Sequence, residues 1–261
     1  MRKLSLFSGI GGIDLAAHWA GMETVAFCER EPFPQKVLRK HWPNVPIYDD
    51  VCTLTADRLK EDGIIGPGRA IGIISAGYPC QGESYAGERK GAADDRWLWP
   101  ETARLLEEIQ PTWFVGENVS GHITMGLDTV LTDLDYINYT ARAFHIPALA
   151  VDGDHERYRI FVVAHSNKVT GLQADQTIST IREKWEAWKD ARRGSWRPIP
   201  RADWHVSGPP VSRELNGIPD RVERCFALGN AVSPHQIYPI LAAIKAIDDM
   251  MHKAEGHQST E

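Results

Sequence analysis

A cysteine in a short loop is the residue of this chain whose type and setting best suit covalent chemistry. Gly77-Tyr78-Pro79-Cys80-Gln81 follows residues 71–75, an apolar run typical of a short buried strand. A thiolate is a strong nucleophile, and the loops beyond strand ends hold the ligands of open α/β sheets. Cys80 is therefore a candidate nucleophile. A buried core thiol is the alternative, because free cysteine is among the most buried residue types.

The first fifty residues carry a glycine turn and two acidic residues, each set after a predicted strand. Residues 3–7 are predicted as a strand, Ser8-Gly9-Ile10-Gly11-Gly12 as a tight turn, and residues 13–20 as a helix. Glycines let the backbone approach a ligand closely, and the spacing differs from the GxGxxG of dinucleotide sites. Glu29 follows a second predicted strand and suits ribose hydroxyls, while Asp50 follows a short third one. This succession favours an adenosine-type site over a plain tight connection.

Five motifs of this chain together resemble those of the cytosine 5-methyltransferases of DNA. In the family's order they are Leu6-Phe7-Ser8-Gly9-Ile10-Gly11-Gly12, Gly77-Tyr78-Pro79-Cys80-Gln81, Glu117-Asn118-Val119, Arg157-Tyr158-Arg159 and Gly229-Asn230-Ala231-Val232. Any one could arise by chance, whereas five in order at fitting separations indicate the family. The resemblance spans residues 4–164 and 213–242. It implies an α/β fold. The fold would contain the Rossmann-like sheet of S-adenosylmethionine-dependent methyltransferases, together with a small target-recognition region.

The resemblance also implies a reaction, methyl transfer from S-adenosylmethionine to carbon 5 of a cytosine flipped out of duplex DNA, with no metal. Cys80 would add to carbon 6 of the ring, and Glu117 would hydrogen-bond N3 and the exocyclic amine. Arg157 and Arg159 would hold the base oxygen and an adjacent phosphate. Taken separately, Glu117 could sit in a turn and the arginines could form surface ion pairs.

By the same comparison, eight residues would hold the cofactor. They are Phe7, Gly9, Ile10, Gly12, Glu29, Asp50, Leu98 and Asn230. Phe7 would lie against the adenine, Glu29 would bind the ribose, and Asp50 would accept the adenine amine. The chain departs from the family pattern at Ser5, where an aspartate is usual, and also at Glu83 and His155.

The charge distribution locates a candidate DNA-binding segment in a chain of net charge −6. Residues 167–213 hold nine Lys or Arg against five Asp or Glu, a local charge of +4 that leaves −10 elsewhere. Four of the nine tryptophans lie there too. A local basic, aromatic patch can bind phosphates and enter a groove, although a solvated basic surface is the alternative. The predicted DNA contacts are Gln81, Ser84, Arg192, Arg193, Arg197 and Arg201.

The predicted organisation is a catalytic and cofactor-binding domain of residues 1–166 plus 213–252, a target-recognition region of residues 167–212, and a flexible tail of residues 253–261. Within the first, residues 234 to about 250 are expected to form an amphipathic helix. The five apolar residues at helical spacing are Ile237, Ile240, Leu241, Ile244 and Ile247.

Cellular setting and partners follow from composition and from the resemblance. The four cysteines are scattered without metal-ligand spacing, which fits free thiols in a reducing cytoplasm. No run approaches the ~20 apolar residues of a membrane span. We expect a monomer that binds double-stranded DNA, and leave open whether a restriction nuclease accompanies it. Alternative functions are an RNA cytosine 5-methyltransferase and a catalytically inactive DNA-binding relative. Retention of Cys80 and Glu117 argues against the second.

Overall fold

The computed structural model describes residues 1–79, 97–151, 156–168, 227 and 229–258, with a few positions between 179 and 190, and side chains as far as His252. Several predictions lie outside these residues. They concern Cys80, Gln81, Ser84, Arg192, Arg193, Arg197, Arg201, the departures at Glu83 and His155, and most of the recognition region.

Seven strands form one sheet in the order β3-β2-β1-β4-β5-β7-β6. The strands are β1 (Arg2–Leu6), β2 (Glu23–Cys28), β3 (Ile47–Tyr48), β4 (Ile73–Ala76), β5 (Trp113–Val119), β6 (Tyr139–Pro147) and β7 (Tyr158–Ser166). The first five strands are parallel, whereas β7 lies antiparallel between β5 and β6. The alternation of strands and helices confirms the predicted α/β fold.

The described helices cover both faces of the sheet. They are α1 (Gly12–Trp19), α2 (Pro32–His41), α3 (Ala56–Glu61), α4 (Trp99–Ile109), α5 (His122–Met125), α6 (Leu127–Tyr136) and α7 (Pro234–Gln258). Successive strand residues point to opposite faces, so Ile74 and Phe114 join a core with α4 and α6. Ile73 and Trp113 join the core on the other face, with α1 and α7. Burial on both faces explains the apolar residues of β4 and of the first half of β5.

Helix α7 confirms the amphipathic helix predicted near the end of the chain. All five of its predicted apolar positions are buried and belong to the core that α7 shares with α1. The helix continues to Gln258 and not only to about residue 250, so it enters the segment assigned to the tail. No helix in the described part of the chain is long and apolar enough to cross a membrane.

The sheet also decides where a site can form. Strands β1 and β4 are parallel neighbours, yet α1 packs on one face and α4, the next described helix after β4, packs on the other. Connections that leave two adjacent strands in opposite directions open a crevice at their carboxyl ends, where ligands of such sheets bind. The glycine turn follows β1 and the cysteine motif follows β4.

Candidate active site

The glycine turn after β1 has the backbone conformation that close approach to a ligand requires. Phe7 has φ 51°, Gly9 φ 53° and Gly11 φ 84°, all in the left-handed region. That region is unfavourable for a bulky residue such as Phe7, and strained residues of this kind cluster at functional sites. A Cβ added at Gly9 would meet no atom within 4 Å, so the turn faces open space there.

Gly12 is required for a different reason, the packing of the last motif. A Cβ at this position would overlap the carbonyl oxygen of Val232, so only glycine permits the approach. Arg157 fastens the same segment, because its Nη2 donates to the carbonyls of Gly229 and Ala231 at 2.7 Å each. The structure thereby brings the segment that carries the exposed Asn230 against the glycine turn, although Gly12 and Gly229 are 217 positions apart in sequence (229 − 12).

Glu29 lies directly beside the turn. Its Oε2 accepts the Gly9 N–H at 2.7 Å and its Oε1 accepts the Glu31 N–H at 2.8 Å. Burial raises the pKa of this carboxyl, although the N–H groups of Glu31 and Gly9 oppose the shift. A carboxylate offers about four lone-pair sites, so each oxygen can accept a further hydrogen from a ligand hydroxyl.

The other predicted cofactor residues differ in how deeply they are buried. Asp50 is exposed beyond β3, and its Oδ1 accepts the Cys52 N–H at 2.9 Å. Strand β3 is joined to the Glu29 backbone, whose N–H donates to the Tyr48 carbonyl at 2.8 Å. Leu98 precedes α4 and packs half-buried against the core, and Ile10 is half-buried in the turn.

A buried acid and two arginines form the second half of the site. Glu117 is near the end of β5 and 7% exposed, and its Oε1 lies 2.8 Å from Arg159 Nε on the neighbouring β7. Burial raises the pKa of Glu117 to about 7, while the Arg159 and Arg157 guanidiniums act in the opposite direction. Burial likewise lowers the pKa of Arg157. Glu117 can therefore exist in both protonation states near neutral pH, as a general acid must.

The acid faces the chain that leads to Cys80. A Cβ built on Gly77, three residues before that cysteine, would lie 3.7 Å from Glu117 Oε2 and 3.5 Å from the Phe7 carbonyl oxygen. Gly77 thus lies close to both the glycine turn and the acid. The turn after β1, Gly77 after β4, Glu117 of β5 and Arg159 of β7 lie together at one edge of the sheet.

Sequence reasoning missed two residues, Asn118 and His122, that form hydrogen bonds with Tyr78 in the segment before Cys80. Asn118 Nδ2 donates to the Tyr78 carbonyl at 3.1 Å, and the Tyr78 hydroxyl lies 2.9 Å from His122 Nε2. Asn118 could have been found, because it stands inside the Glu117-Asn118-Val119 motif. Nothing in the spacing of His122 signals a contact with a residue 44 positions away.

The structure also accounts for the departure at Ser5. Its hydroxyl donates to Asp14 Oδ2 at 3.0 Å, and the Lys3 ammonium lies 2.5 Å from Asp14 Oδ1. The Thr24 hydroxyl donates to the same oxygen at 3.0 Å. All four side chains are buried. The buried carboxylate at this point comes from α1, and a serine on β1 helps to satisfy it.

One cavity, of about 610 Å³, lies at the outer edge of the sheet between β3, α2 and α3. Arg30, Tyr48 and Arg58 are among its lining residues. None of the predicted site residues is among its lining residues, although Arg30 and Asp49 adjoin Glu29 and Asp50 in sequence.

Solved structures with the same fold include two methyltransferases. The first is a putative DNA modification methyltransferase encoded within an Escherichia coli prophage, with TM-score 0.57 and 24% identity over 68% of this chain and 50% of that one. The second is a variant of Spodoptera frugiperda DNMT2, with TM-score 0.54 and 21% identity over 66% of this chain and 52% of that one. Both likenesses concern the fold.

Comparison of sequences is more specific. Type II methyltransferase M.AquIA of Picosynechococcus sp. is 32% identical over 178 residues, which cover 63% of this chain and 71% of that relative. Type II methyltransferase M2.BsuMI of Bacillus subtilis is 32% identical over 63% of this chain but only 42% of its own length. Type II methyltransferase M.FnuDI of Fusobacterium nucleatum is 32% identical, and the match covers 69% of this chain and 49% of that relative. The chain thus spans less than half of the latter two relatives.

A family model matches most of the chain. The model described as C-5 cytosine-specific DNA methylase matches residues 1–201, which include the glycine turn, the cysteine motif, Glu117 and both arginines. The chain belongs to the C-5 cytosine-specific DNA methylase family.

Proposed function

We propose that this protein transfers a methyl group from S-adenosylmethionine to carbon 5 of a cytosine flipped out of duplex DNA. The observation that carries the proposal is the placement of Glu117. This acid is buried, its pKa is raised to about 7, it is paired with Arg159, and it lies against the chain leading to Cys80. An acid of tuned pKa beside a nucleophile motif suits covalent chemistry on a heteroaromatic ring.

The covalent step uses Cys80 and Glu117 together. The Cys80 thiolate forms a bond to carbon 6 of cytosine. The electron pair of the C5–C6 double bond then shifts to the C4–C5 bond, and the pair of the C4–N3 double bond moves to N3. Protonated Glu117 donates its hydrogen to N3, while its other oxygen accepts from the exocyclic amine. Arg159 lowers the free-energy cost of the buried carboxylate that remains on Glu117 after this proton transfer. Its guanidinium would also hold the base oxygen.

The remaining steps return the protein to its starting state. S-adenosylmethionine would supply an electrophilic methyl group to the electron-rich carbon 5, and the methyl–sulfur bond would break to release S-adenosylhomocysteine. Removal of the carbon 5 proton by a base then restores the ring double bond, and the Cys80 thiolate leaves. Glu117 recovers its proton from N3 in the same step. The target carbon cannot be reached inside the double helix, so the base must be flipped.

The described residues fit the cofactor that this reaction needs. Gly9 faces open space, and Glu29 keeps lone pairs for two ribose hydroxyls beside it. The ring of Phe7, half-buried at the same turn, suits one face of an adenine. Asp50, beyond the neighbouring strand, offers an acceptor for the adenine amine. We assign Ile10, Gly12, Leu98 and Asn230 to the rim of this pocket.

DNA recognition is assigned to residues 167–212, on their local charge and their position between the family motifs. Within them, Arg192, Arg193, Arg197 and Arg201 would contact the duplex, while Gln81 and Ser84 would contact it next to the nucleophile. Residues 1–166 and 213–252 would form the catalytic domain.

A mechanism-based trap tests the proposal. Duplex DNA with 5-fluorocytosine at the target, incubated with S-adenosylmethionine, should yield a denaturant-stable adduct, because fluorine cannot leave as a proton does. Cys80→Ala should abolish the adduct while leaving cofactor affinity unchanged. Bisulfite sequencing of host DNA after expression locates the target. An undiminished adduct in Cys80→Ala would refute the nucleophile assignment. Methylation of RNA but not of duplex DNA would refute the assignment of duplex DNA as the substrate.

A further inference from the structure

A buried histidine next to the proposed active site is not part of any of the five motifs. His122 begins α5, five residues after Glu117, and is fully buried. Its Nε2 lies 2.9 Å from the Tyr78 hydroxyl. Burying a polar ring is costly unless its nitrogens are hydrogen-bonded, so this pairing is a specific feature of the core.

The ring of His122 contacts an aromatic ring on each side of residues 80–96, that of Tyr78 before them and that of Trp97 after them. The His122 ring centroid lies 5.4 Å from that of Tyr78 and 5.9 Å from that of Trp97. The Tyr78 and Trp97 rings are 6.3 Å apart at an interplanar angle of 90°. These separations and tilts are favourable for aromatic pairs. His122 therefore contacts the residue two positions before Cys80 and the first described residue after it.

Tyr78 is held at both of its polar ends. Its hydroxyl pairs with His122, and its carbonyl accepts the amide of Asn118, whose own Oδ1 accepts the Val119 N–H at 2.9 Å. Both anchors lie in the short stretch of chain that also carries Glu117. The backbone that precedes Cys80 is thus tied to the same stretch as the acid.

We propose that His122 is a positioning residue for the nucleophile. Its hydrogen bond fixes the Tyr78 ring, and through it the backbone entering Pro79-Cys80, relative to Glu117. The inference rests on the proposed function, since the positioned group is the attacking thiol. Displacement of a reacting group by about 1 Å can slow a reaction about 100-fold. Loss of this hydrogen bond should therefore slow covalent attack without weakening cofactor binding.

Two tyrosine variants separate positioning from stability. Tyr78→Phe removes only the hydroxyl that meets His122. The matched control is Tyr139→Phe, which removes another buried hydroxyl, one that donates to the Pro111 carbonyl at 2.5 Å where β6 begins. Each change deletes one buried hydroxyl that is hydrogen-bonded, so both should lower the unfolding temperature by a similar amount.

The decisive measurement is the single-turnover rate of adduct formation with 5-fluorocytosine duplex. Tyr78→Phe should form the adduct about ten-fold more slowly than the parent, and Tyr139→Phe within about two-fold of the parent rate. Calorimetry should show unchanged S-adenosylmethionine affinity in both. Equal slowing by both variants, or none with Tyr78→Phe, would overturn the inference.

Substitutions at His122 test the pair itself. His122→Phe should slow the adduct as Tyr78→Phe does, and the double variant should be no slower, because both changes remove the same bond. His122→Gln, whose amide can reach the hydroxyl, should recover part of the rate. Additive slowing in the double variant would contradict the proposal. If the parent neither forms the adduct nor methylates DNA, the proposed function fails and this inference fails with it. A normal parent with a normal Tyr78→Phe rate refutes the inference alone.

Discussion

Replacing Glu117 by glutamine should change how the stability of the fold depends on pH. Burial raises the pKa of this carboxyl from 4.5 to about 7 in the folded protein, against the opposing pull of Arg159 and Arg157. The folded state therefore holds this proton more tightly than the unfolded chain does. The stabilising contribution is fully present below pH 4.5 and is lost as the pH rises to about 7.

The size of the effect follows from the size of the shift. A rise from 4.5 to about 7 corresponds to about 3 kcal/mol, since one pKa unit is worth ~1.4 kcal/mol. The glutamine has no proton to lose, so Glu117→Gln removes this pH dependence. The free energy of unfolding of the variant minus that of the parent should rise by about 3 kcal/mol between about pH 4.5 and about pH 8. The attraction of Arg159 acts only on the ionised carboxylate, so its effect is already included in the net shift of the Glu117 pKa.

Urea denaturation of both proteins across this range provides the measurement. Titratable groups that parent and variant share, including Glu29, contribute equally to both free energies of unfolding and cancel when one is subtracted from the other. Glu107→Gln, which removes an exposed carboxylate on α4, is the control for loss of a carboxylate alone. A difference that stays constant within about 1 kcal/mol would show that Glu117 is not desolvated as described. The argument for its role as a proton donor would then fail.

Three further results are expected. Glu29→Ala should weaken S-adenosylmethionine about ten-fold or more by calorimetry, because a charge-assisted hydrogen bond is worth about 1.5–3 kcal/mol; unchanged affinity would refute the placement. Lys3→Met should lower the free energy of unfolding by about 3–5 kcal/mol, because it leaves the Asp14 carboxylate buried without a cation, and adding Asp14→Asn should restore part of the loss; a cost below about 1 kcal/mol would contradict this. Charge reversal at Arg192 and Arg193 should weaken DNA binding and flatten its salt dependence, whereas an unchanged slope would mark them as solvated surface.

Sequence alone was enough for the features that are written locally along the chain. The glycine turn, the strand before Cys80 and the spacing of apolar residues in α7 each depend on a few neighbouring residues. Family membership likewise followed from five short motifs in order, and the family model and the Type II relatives confirm it. Helix ends were less certain, because α7 continues to Gln258 without a local stop signal that the apolar spacing could reveal.

Only the tertiary structure decided how these pieces meet. Val232 requires glycine at position 12, Arg157 fastens the last motif, and Asp14 satisfies Lys3 and Ser5, yet none of these pairings has a sequence period. Each depends on which strands are neighbours in the sheet. The same holds for the pairing of Tyr78 with His122. The type of Glu117 is visible in the sequence, but its raised pKa comes from burial, and burial is a property of the folded chain.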